Sequence, residues 1–539
     1  MSGMANHEKR RQEDAKKKAK SNTRAKSGAG SRSAGRSRAA RRVGASDSPC
    51  LVDARCGGCK NLCVPYTKQL IDKQLRIERL FAPLAPDGTI SLIKGMKDPY
   101  HYRNKVISPF APGKKLPPRG QDRKAIDPHN RKAADVRGAK GGKGKRPQAR
   151  YEILTGMYAA GSHELVPTDK CLIENETAKK VVLAVRDIMR KHDVAPYRED
   201  TGTGFMRHVV VRVGHTSGEV LVTLVTNSDD FPSSKSFCRE LIRLCPAVTT
   251  VVQNVNERQT NVILGDKERV LYGPGFILDE LCGLSFRISS KSFYQVNAMQ
   301  TEVLYRAAME LAGFDGTQAA IDAYCGTGTI GLVAAKSGAA RVIGVDSVES
   351  AIRDARTNAR HNGVENAEFV AGDATDFMCE LAKEGVLGAE SPEEGAQAGG
   401  LVVLMDPPRA GSTEEFLRAA AALAPERIVY ISCNPETQAR DVEFLDSIGY
   451  AVVAVQPVDM FPHTDHIECI VALEPVDSLS PDRWGKEGGE EEADDAEADE
   501  APEGDCDGGA ADEAPNGEAP DVEVPAADSV DVAAAEEVE

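Results

Sequence analysis

From Ser285 onward the chain alternates short apolar runs with segments of helical period, the texture of a parallel sheet covered by helices. Ala319-Ala-Ile-Asp-Ala-Tyr324 reads as a strand, Gly326-Thr-Gly-Thr-Ile-Gly331 as a glycine turn opening a helix, and Arg341-Val-Ile-Gly-Val345 as the next strand, ending in Asp346. Ala351, Ile352, Ala355 and Ala359 then line one helical face, and Asn362-Gly363 supplies a left-handed stop. Further strands are predicted to end at Asp373, Asp406 and Cys433. Open sheets of this kind bind ligands outside the carboxyl ends of their strands, so those residues are where chemistry is expected. The fold class is α/β, with a Rossmann-like domain over residues 285–476.

A chain of 539 residues exceeds one ordinary domain. Ahead of the alternating region come Cys50-x5-Cys56-Gly-Gly-Cys59, a helix-like stretch from Tyr66 to Phe81, and strand-like runs such as His208-Val-Val-Val-Arg212 and Glu219 to Val225. These define a smaller α+β domain over 49–284, interrupted by a basic insertion at 113–150; residues 382–400 read as a second surface insertion. The ends differ in kind. Residues 1–46 carry 14 Lys/Arg against 3 Asp/Glu, and residues 487–539 carry 22 Asp/Glu and no Lys/Arg. Both are too poor in aromatic and β-branched residues to offset the entropy of folding, so 1–48 reads as a basic disordered tail and 477–539 as an acidic one. No apolar segment follows the basic amino terminus and no run of eighteen apolar residues occurs, which points to a soluble cytoplasmic protein with no membrane partner. Thirteen cysteines, an odd number without an export signal, argue for free thiols and metal ligands over disulfides.

Gly326-x-Gly328-x-x-Gly331, with an acid about twenty residues beyond its first glycine, fits a dinucleotide fingerprint. NAD is therefore one reading. Class I methyltransferases share the first strand, the glycine turn and the ribose-binding acid, because S-adenosylmethionine also presents an adenosine. Asp322 within the first strand, Asp373 after the third, Asp406-Pro-Pro-Arg409 after the fourth, and the lack of an evident hydride-transfer acid and base all favour S-adenosylmethionine.

Cys433, in Tyr430-Ile-Ser-Cys433-Asn-Pro435, ends an apolar run and precedes turn residues, the place where a nucleophile would be presented. A lone cysteine after a strand is also commonly a buried core thiol. The surrounding motifs decide between these readings. Gln295 in Ser-Phe-Tyr-Gln-Val-Asn297, Asp406-Pro-Pro-Arg409, Ser-Cys433-Asn-Pro and Phe461-Pro-His-Thr-x-His-x-Glu468 occur together and in order. With them residues 49–475 resemble the RNA uracil-C5 methyltransferase family, most closely its bacterial 23S rRNA branch.

The resemblance implies an enzyme in which Cys433 adds to C6 of uracil and Glu468 is the base that removes the C5 proton. It implies that Gln295, Tyr324, Thr329, Asp346, Asp373 and Asp406 contact S-adenosylmethionine. Cys50, Cys56 and Cys59 lie within ten residues, and Cys171 is the best fourth ligand. Spacing alone suits zinc or an iron–sulfur cluster equally; the rRNA branch implies a 4Fe-4S cluster, with Cys63 a spare. The implied partner is RNA, 23S rRNA first, with no DNA, and the chain is expected to be a monomer. A tRNA uracil-C5 methyltransferase and a non-catalytic RNA-binding or assembly factor remain alternatives.

Family members with an amino-terminal β-barrel differ from this chain, whose first 48 residues are too polar for one. Phosphate attraction is expected from the basic tail and from 113–150, where 13 Lys/Arg face 3 Asp. Arg103-Asn104-Lys105 resembles an RNA-domain motif of the family. The acidic tail is expected to compete with RNA for these basic segments.

Overall fold

The computed structural model describes residues 48–117, 151–384 and 400–479. The expectations placed on 1–47, on 118–150, on 385–399 and on the acidic tail from 480 lie outside the described residues. A loop carrying Cys50, Cys56 and Cys59 leads into helix α1 (Tyr66–Phe81).

Seven strands then form the first sheet: β1 (Lys105–Lys115), β2 (Tyr151–Tyr158), β3 (Leu165–Pro167), β4 (Met206–Val213), β5 (Val220–Thr226), β6 (Val248–Val255) and β7 (Lys267–Tyr272). Their order is β3-β2-β1-β4-β5-β6-β7, antiparallel except where β5 meets β6. Helices α2 (Glu176–Lys191) and α3 (Ser234–Leu244) cover it. Alternate strand residues point to one face, so Val209, Val211, Val222 and Leu224 meet Val181, Val185 and Ile188 of α2 and Phe237 and Leu241 of α3 in one core. Asn175 caps α2 by accepting from the Thr177 and Ala178 N–H groups.

A hairpin of β8 (Phe276–Leu281) and β9 (Leu284–Ser289) follows. The boundary expected at 284/285 falls inside it, and both strands pack with what comes after: Ile277, Leu281, Phe286 and Ile288 share a core with Leu304, Leu332, Val342 and Ile431. The remaining elements are α4 (Ala298–Ala312), β10 (Ala319–Ala323), α5 (Thr329–Lys336), β11 (Arg341–Asp346), α6 (Glu349–His361), β12 (Ala367–Ala371), α7 (Ala374–Glu384), β13 (Leu401–Met405), α8 (Glu414–Ala422), β14 (Arg427–Ser432), α9 (Pro435–Ser447), β15 (Tyr450–Val458) and β16 (Glu468–Pro475). The second sheet has the order β12-β11-β10-β13-β14-β16-β15, with β16 antiparallel to both its neighbours.

Its central strands β13 and β14 are buried on both faces, as their near-continuous apolar runs require. Val402, Leu404, Val429 and Ile431 lie in one core, while Val403, Met405, Ile428 and Tyr430 lie in the other. Ile77 and Phe81 of α1 belong to that second core and are fully buried. A helix assigned from sequence to the amino-terminal domain is thus docked on the carboxyl-terminal sheet.

Candidate active site

Parallel pairing aligns the strand ends. Ala323 of β10 pairs with Val345 of β11 and Met405 of β13, and Met405 pairs with Tyr430 of β14. Tyr324, Asp346 and Asp406 therefore emerge together at the carboxyl edge, with Asp373 two residues past β12. Antiparallel β16 brings its amino end to the same edge. Its register runs from Ile428↔Leu473 to Ser432↔Cys469; one further step places Cys433 opposite Glu468. Backbones so paired lie about 5 Å apart.

Cys433 is half-buried and Glu468 almost fully buried, at 4% exposure. Two buried contacts hold their strands together behind them: Gln438 of α9 donates to the Tyr430 carbonyl at 2.8 Å and to the Cys469 carbonyl at 3.0 Å. Pro435 occupies the first turn of α9, where its missing N–H costs nothing. The thiol consequently sits just ahead of a helix amino terminus, the end of a helix that carries partial positive charge. The Asp406-Pro-Pro-Arg409 turn is tied to it, because the Asn434 side chain and the Thr437 hydroxyl both donate to the Arg409 carbonyl, at 2.9 and 3.0 Å.

Three glycines shape the turn after β10 for different reasons. Gly326 adopts φ +52 with open space around it. Gly328 caps α5 at φ +79, and a Cβ there would stand 2.8 Å from the Phe369 ring. Gly331 lets α5 approach β10, since a Cβ would stand 2.8 Å from Asp322 Oδ2. Tyr324 is left-handed without being glycine, at φ 65, strain of the kind stored at ligand sites. The Asp346 carboxylate accepts from the Gly326 N–H at 2.9 Å and the Val348 N–H at 2.8 Å, which fixes it beneath the turn.

Asp322 is completely buried, with Oδ2 accepting from the Gly331 N–H at 2.7 Å and Oδ1 lacking a donor among the described residues. Burial pushes its carboxyl up to about 8, with Asp406 and Asp346 adding repulsion. The two remaining carboxyls at this edge, Asp346 and Asp406, suit a cationic guest, and S-adenosylmethionine carries its charge on a sulfonium and an ammonium.

The other expected cofactor residues divide. The Thr329 hydroxyl is 2.9 Å from the Tyr305 hydroxyl at the start of α5. Gln295 lies on the segment leading to α4, which reaches the glycine turn through Thr327 Oγ1 donating to the Phe293 carbonyl at 3.4 Å. Asp373 has a local duty as well: its Oδ1 accepts from the Thr375 and Asp376 N–H groups and caps α7. Asn104 of the Arg103-Asn104-Lys105 motif is buried and donates to the Gln295 carbonyl at 3.2 Å, so it braces the segment that carries Gln295.

Two of the four candidate ligand cysteines meet at one small apolar cluster. Cys59 and Cys171 pack against Met96, Tyr102 and Ile173. Burial raises the Cys59 thiol, and Cys171, Cys56, Asp53 and Cys50 raise it further by proximity. Burial and Glu174 push Cys171 up to about 12. Cys63 instead donates to Asp53 at 3.0 Å. Among the described residues no group of three or more Cys, His, Asp or Glu is close enough as it stands to grip a metal ion. The donor set, four thiols sharing one neighbourhood, is chemically that of a soft metal or cluster.

Sequence reasoning missed a row on α1. Tyr66, Gln69, Lys73 and Arg76 all bond to the loop between β15 and β16 that leads into Glu468. Their spacing of three, four and three residues was the available signal, but polar residues at that period ordinarily read as a solvated helix face.

A sheet of this order, with a glycine turn after its first strand and an acid ending its second, defines a class I methyltransferase fold. Comparison with known proteins narrows the class. The model of the tRNA (uracil-5-)-methyltransferase family matches residues 267–476. An uncharacterized RNA methyltransferase of Bacillus cereus is 36% identical over 433 residues, covering 80% of this chain and 84% of that one. Another from Oceanobacillus iheyensis is 38% identical over 421 residues, covering 78% and 81%. The Pyrococcus abyssi tRNA (uracil-54, C5)-methyltransferase, solved with S-adenosyl-L-homocysteine, superposes with a TM-score of 0.57 at 26% identity, over 77% of this chain and 85% of that one. The chain belongs to the family of S-adenosylmethionine-dependent RNA uracil-C5 methyltransferases.

Proposed function

We propose that the chain methylates C5 of a uridine in 23S rRNA, with Cys433 as nucleophile and Glu468 as base. The observation that carries this reading is the β14/β16 register, whose last pair, Ser432↔Cys469, leaves Cys433 and Glu468 as the next residue of each strand at the ligand-binding edge. C5 of uracil is too weak a nucleophile to take a methyl group unaided. The Cys433 thiolate adds to C6, electron density moves to C5, and C5 takes the methyl. Glu468 then removes the C5 proton, the double bond reforms, and the thiolate leaves. S-adenosylmethionine, when bound, supplies the electrophilic methyl on its sulfonium.

In this reading the Asp346 carboxylate holds the ribose hydroxyls, and Asp373 offers its second oxygen to the adenine edge. Asp406, Gln295, Tyr324 and Thr329 line the remainder of the cofactor pocket. Cys50, Cys56, Cys59 and Cys171 would hold a 4Fe-4S cluster, which when bound supplies a cross-link between the cysteine loop and the segment after β3. Uracil methylation moves no electrons through it. We further read the chain as a cytoplasmic monomer.

Cys433→Ala is expected to abolish turnover and the covalent RNA adduct while leaving S-adenosylmethionine affinity unchanged by calorimetry; methylation that persists would refute the nucleophile. The RNA is a separate question. The cysteine set favours rRNA, whereas the superposable Pyrococcus abyssi enzyme acts on tRNA. Mapping 5-methyluridine in cells lacking the gene distinguishes them: a methyl lost from 23S rRNA supports the first reading, a methyl lost from tRNA the second.

A further inference from the structure

The base arrives on an irregular segment. Residues 459–467 join β15 to β16 without regular structure, and His463 within them is left-handed at φ 68. A loop of that kind has no backbone ladder to fix it, so its shape must come from partners elsewhere.

Asn297, the cap of α4, and Gln300 within it hold the loop's start, at the Met460 and Asp459 carbonyls, and four partners that reach along the rest of it stand on one helix, α1. Lys73 of α1, 5% exposed, donates to Asp459 Oδ1 at 2.6 Å, to the His466 carbonyl at 2.7 Å and to the Phe461 carbonyl at 3.2 Å. An ammonium has three protons, and each finds an acceptor on the same loop. The Tyr66 hydroxyl donates to the other Asp459 oxygen at 2.8 Å. Gln69 accepts from the His463 N–H at 2.9 Å, and its amide nitrogen lies 3.1 Å from His463 Nδ1. One turn further, Arg76 donates to the Asp465 carbonyl at 2.9 Å and grips Glu436 through three contacts of 2.6 to 2.8 Å. Glu436 is three residues after Cys433, and Asp465 three before Glu468. Arg76 therefore touches both catalytic segments at once.

Stability alone is a poor explanation for the Lys73–Asp459 pair. A buried ion pair recovers little beyond its desolvation cost, and well-packed apolar residues would serve the core as well. What an apolar residue could not do is gather two carbonyls and a carboxylate from residues 459, 461 and 466 around one point.

We propose that the polar face of α1, with Lys73 at its centre and Arg76 at its end, is a positioning device that sets Glu468 against the C5 proton after Cys433 has added to the uracil. Lys73 and Arg76 are positioning residues: they act through the loop and through α9. The inference rests on the roles assigned above to Cys433 and Glu468, and it makes a prediction that a merely structural helix would not. If Glu468 is displaced, methyl transfer to C5 still proceeds and proton removal fails, so the methylated protein–RNA adduct accumulates.

The test uses the full chain, methyl-labelled S-adenosylmethionine and total RNA from cells lacking the gene. In Lys73→Met, kcat is expected to fall on the order of 100-fold, the cost of an ångström-scale misplacement, with KM for RNA unchanged and label building up in an SDS-stable protein–RNA band. Arg76→Gln, at a partly exposed site that the fold tolerates, is expected to act in the same direction about tenfold. Glu468→Gln and Cys433→Ala are the reference variants, the first expected to accumulate adduct and the second to form none. Absence of adduct in Glu468→Gln would overturn the base assignment itself. Adduct in Glu468→Gln but none in Lys73→Met and Arg76→Gln would overturn the positioning role alone, as would wild-type turnover in Arg76→Gln should Lys73→Met fail to fold.

Discussion

Asp322 is a fully buried carboxyl with one donor among the described residues, the Gly331 N–H. Its folded pKa of about 8 exceeds the 3.8 of the unfolded chain, so the native state holds a proton that the unfolded state releases. Stability must then fall as pH rises from about 4 through about 8. Asp322→Asn keeps an acceptor for Gly331 and removes the titration. The difference in urea midpoint between variant and wild type should thus grow in the variant's favour from pH 5 to pH 8.5; a difference independent of pH would show that Asp322 is ionised in the native protein. This residue was visible in the sequence as an acid inside a strand, as were Cys433 and Glu468 at strand ends, because strand periodicity fixes which residues reach the edge. Lys73 and Asp459 were not visible. Their meaning depends on each other, and 386 residues separate them.

At the scale of elements, the glycine turn and α5 behave as one part. The helix begins at a left-handed Gly328 because the chain must turn into it within the five residues 324–328 after β10, and the space a side chain would need is filled by the Phe369 ring and the Ala355 methyl. Gly328→Ala combines a conformational cost of about 1–3 kcal/mol with that clash, and the turn can relieve both only by moving away from Phe369 and Ala355. Calorimetry should register at least about a tenfold weaker affinity for S-adenosylmethionine, since 1.4 kcal/mol is a factor of ten; an affinity within twofold of wild type would mean the turn does not cradle the ligand. Strand and helix order in this half was readable from alternation alone. The amino-terminal half was less so: α1 carries Ile77 and Phe81 into the carboxyl-terminal core and turns its polar stripe inward as well. Helical period reports that a face exists, and only the tertiary partner decides which face is buried.

Over the whole molecule, charge is segregated along the sequence. The amino-terminal 46 residues carry a net +11, residues 113–150 a net +10 and residues 487–539 a net -22, so the acidic segment nearly cancels the two basic ones. RNA and the acidic segment are both polyanions, and each can neutralise the same lysines and arginines. Counterions released from RNA on binding make that competition steepest at low salt, and screening beyond a Debye length of about 10 Å at 0.1 M weakens it. Deleting residues 487–539 should therefore raise affinity for RNA of unrelated sequence by filter binding at 50 mM salt, and the gain should shrink as salt increases. Affinity for the true substrate should rise less, because part of that binding comes from contacts at the carboxyl edge of the second sheet, which the acidic segment cannot imitate. Unchanged affinity for unrelated RNA at low salt would refute the competition and leave the segment a role in solubility alone.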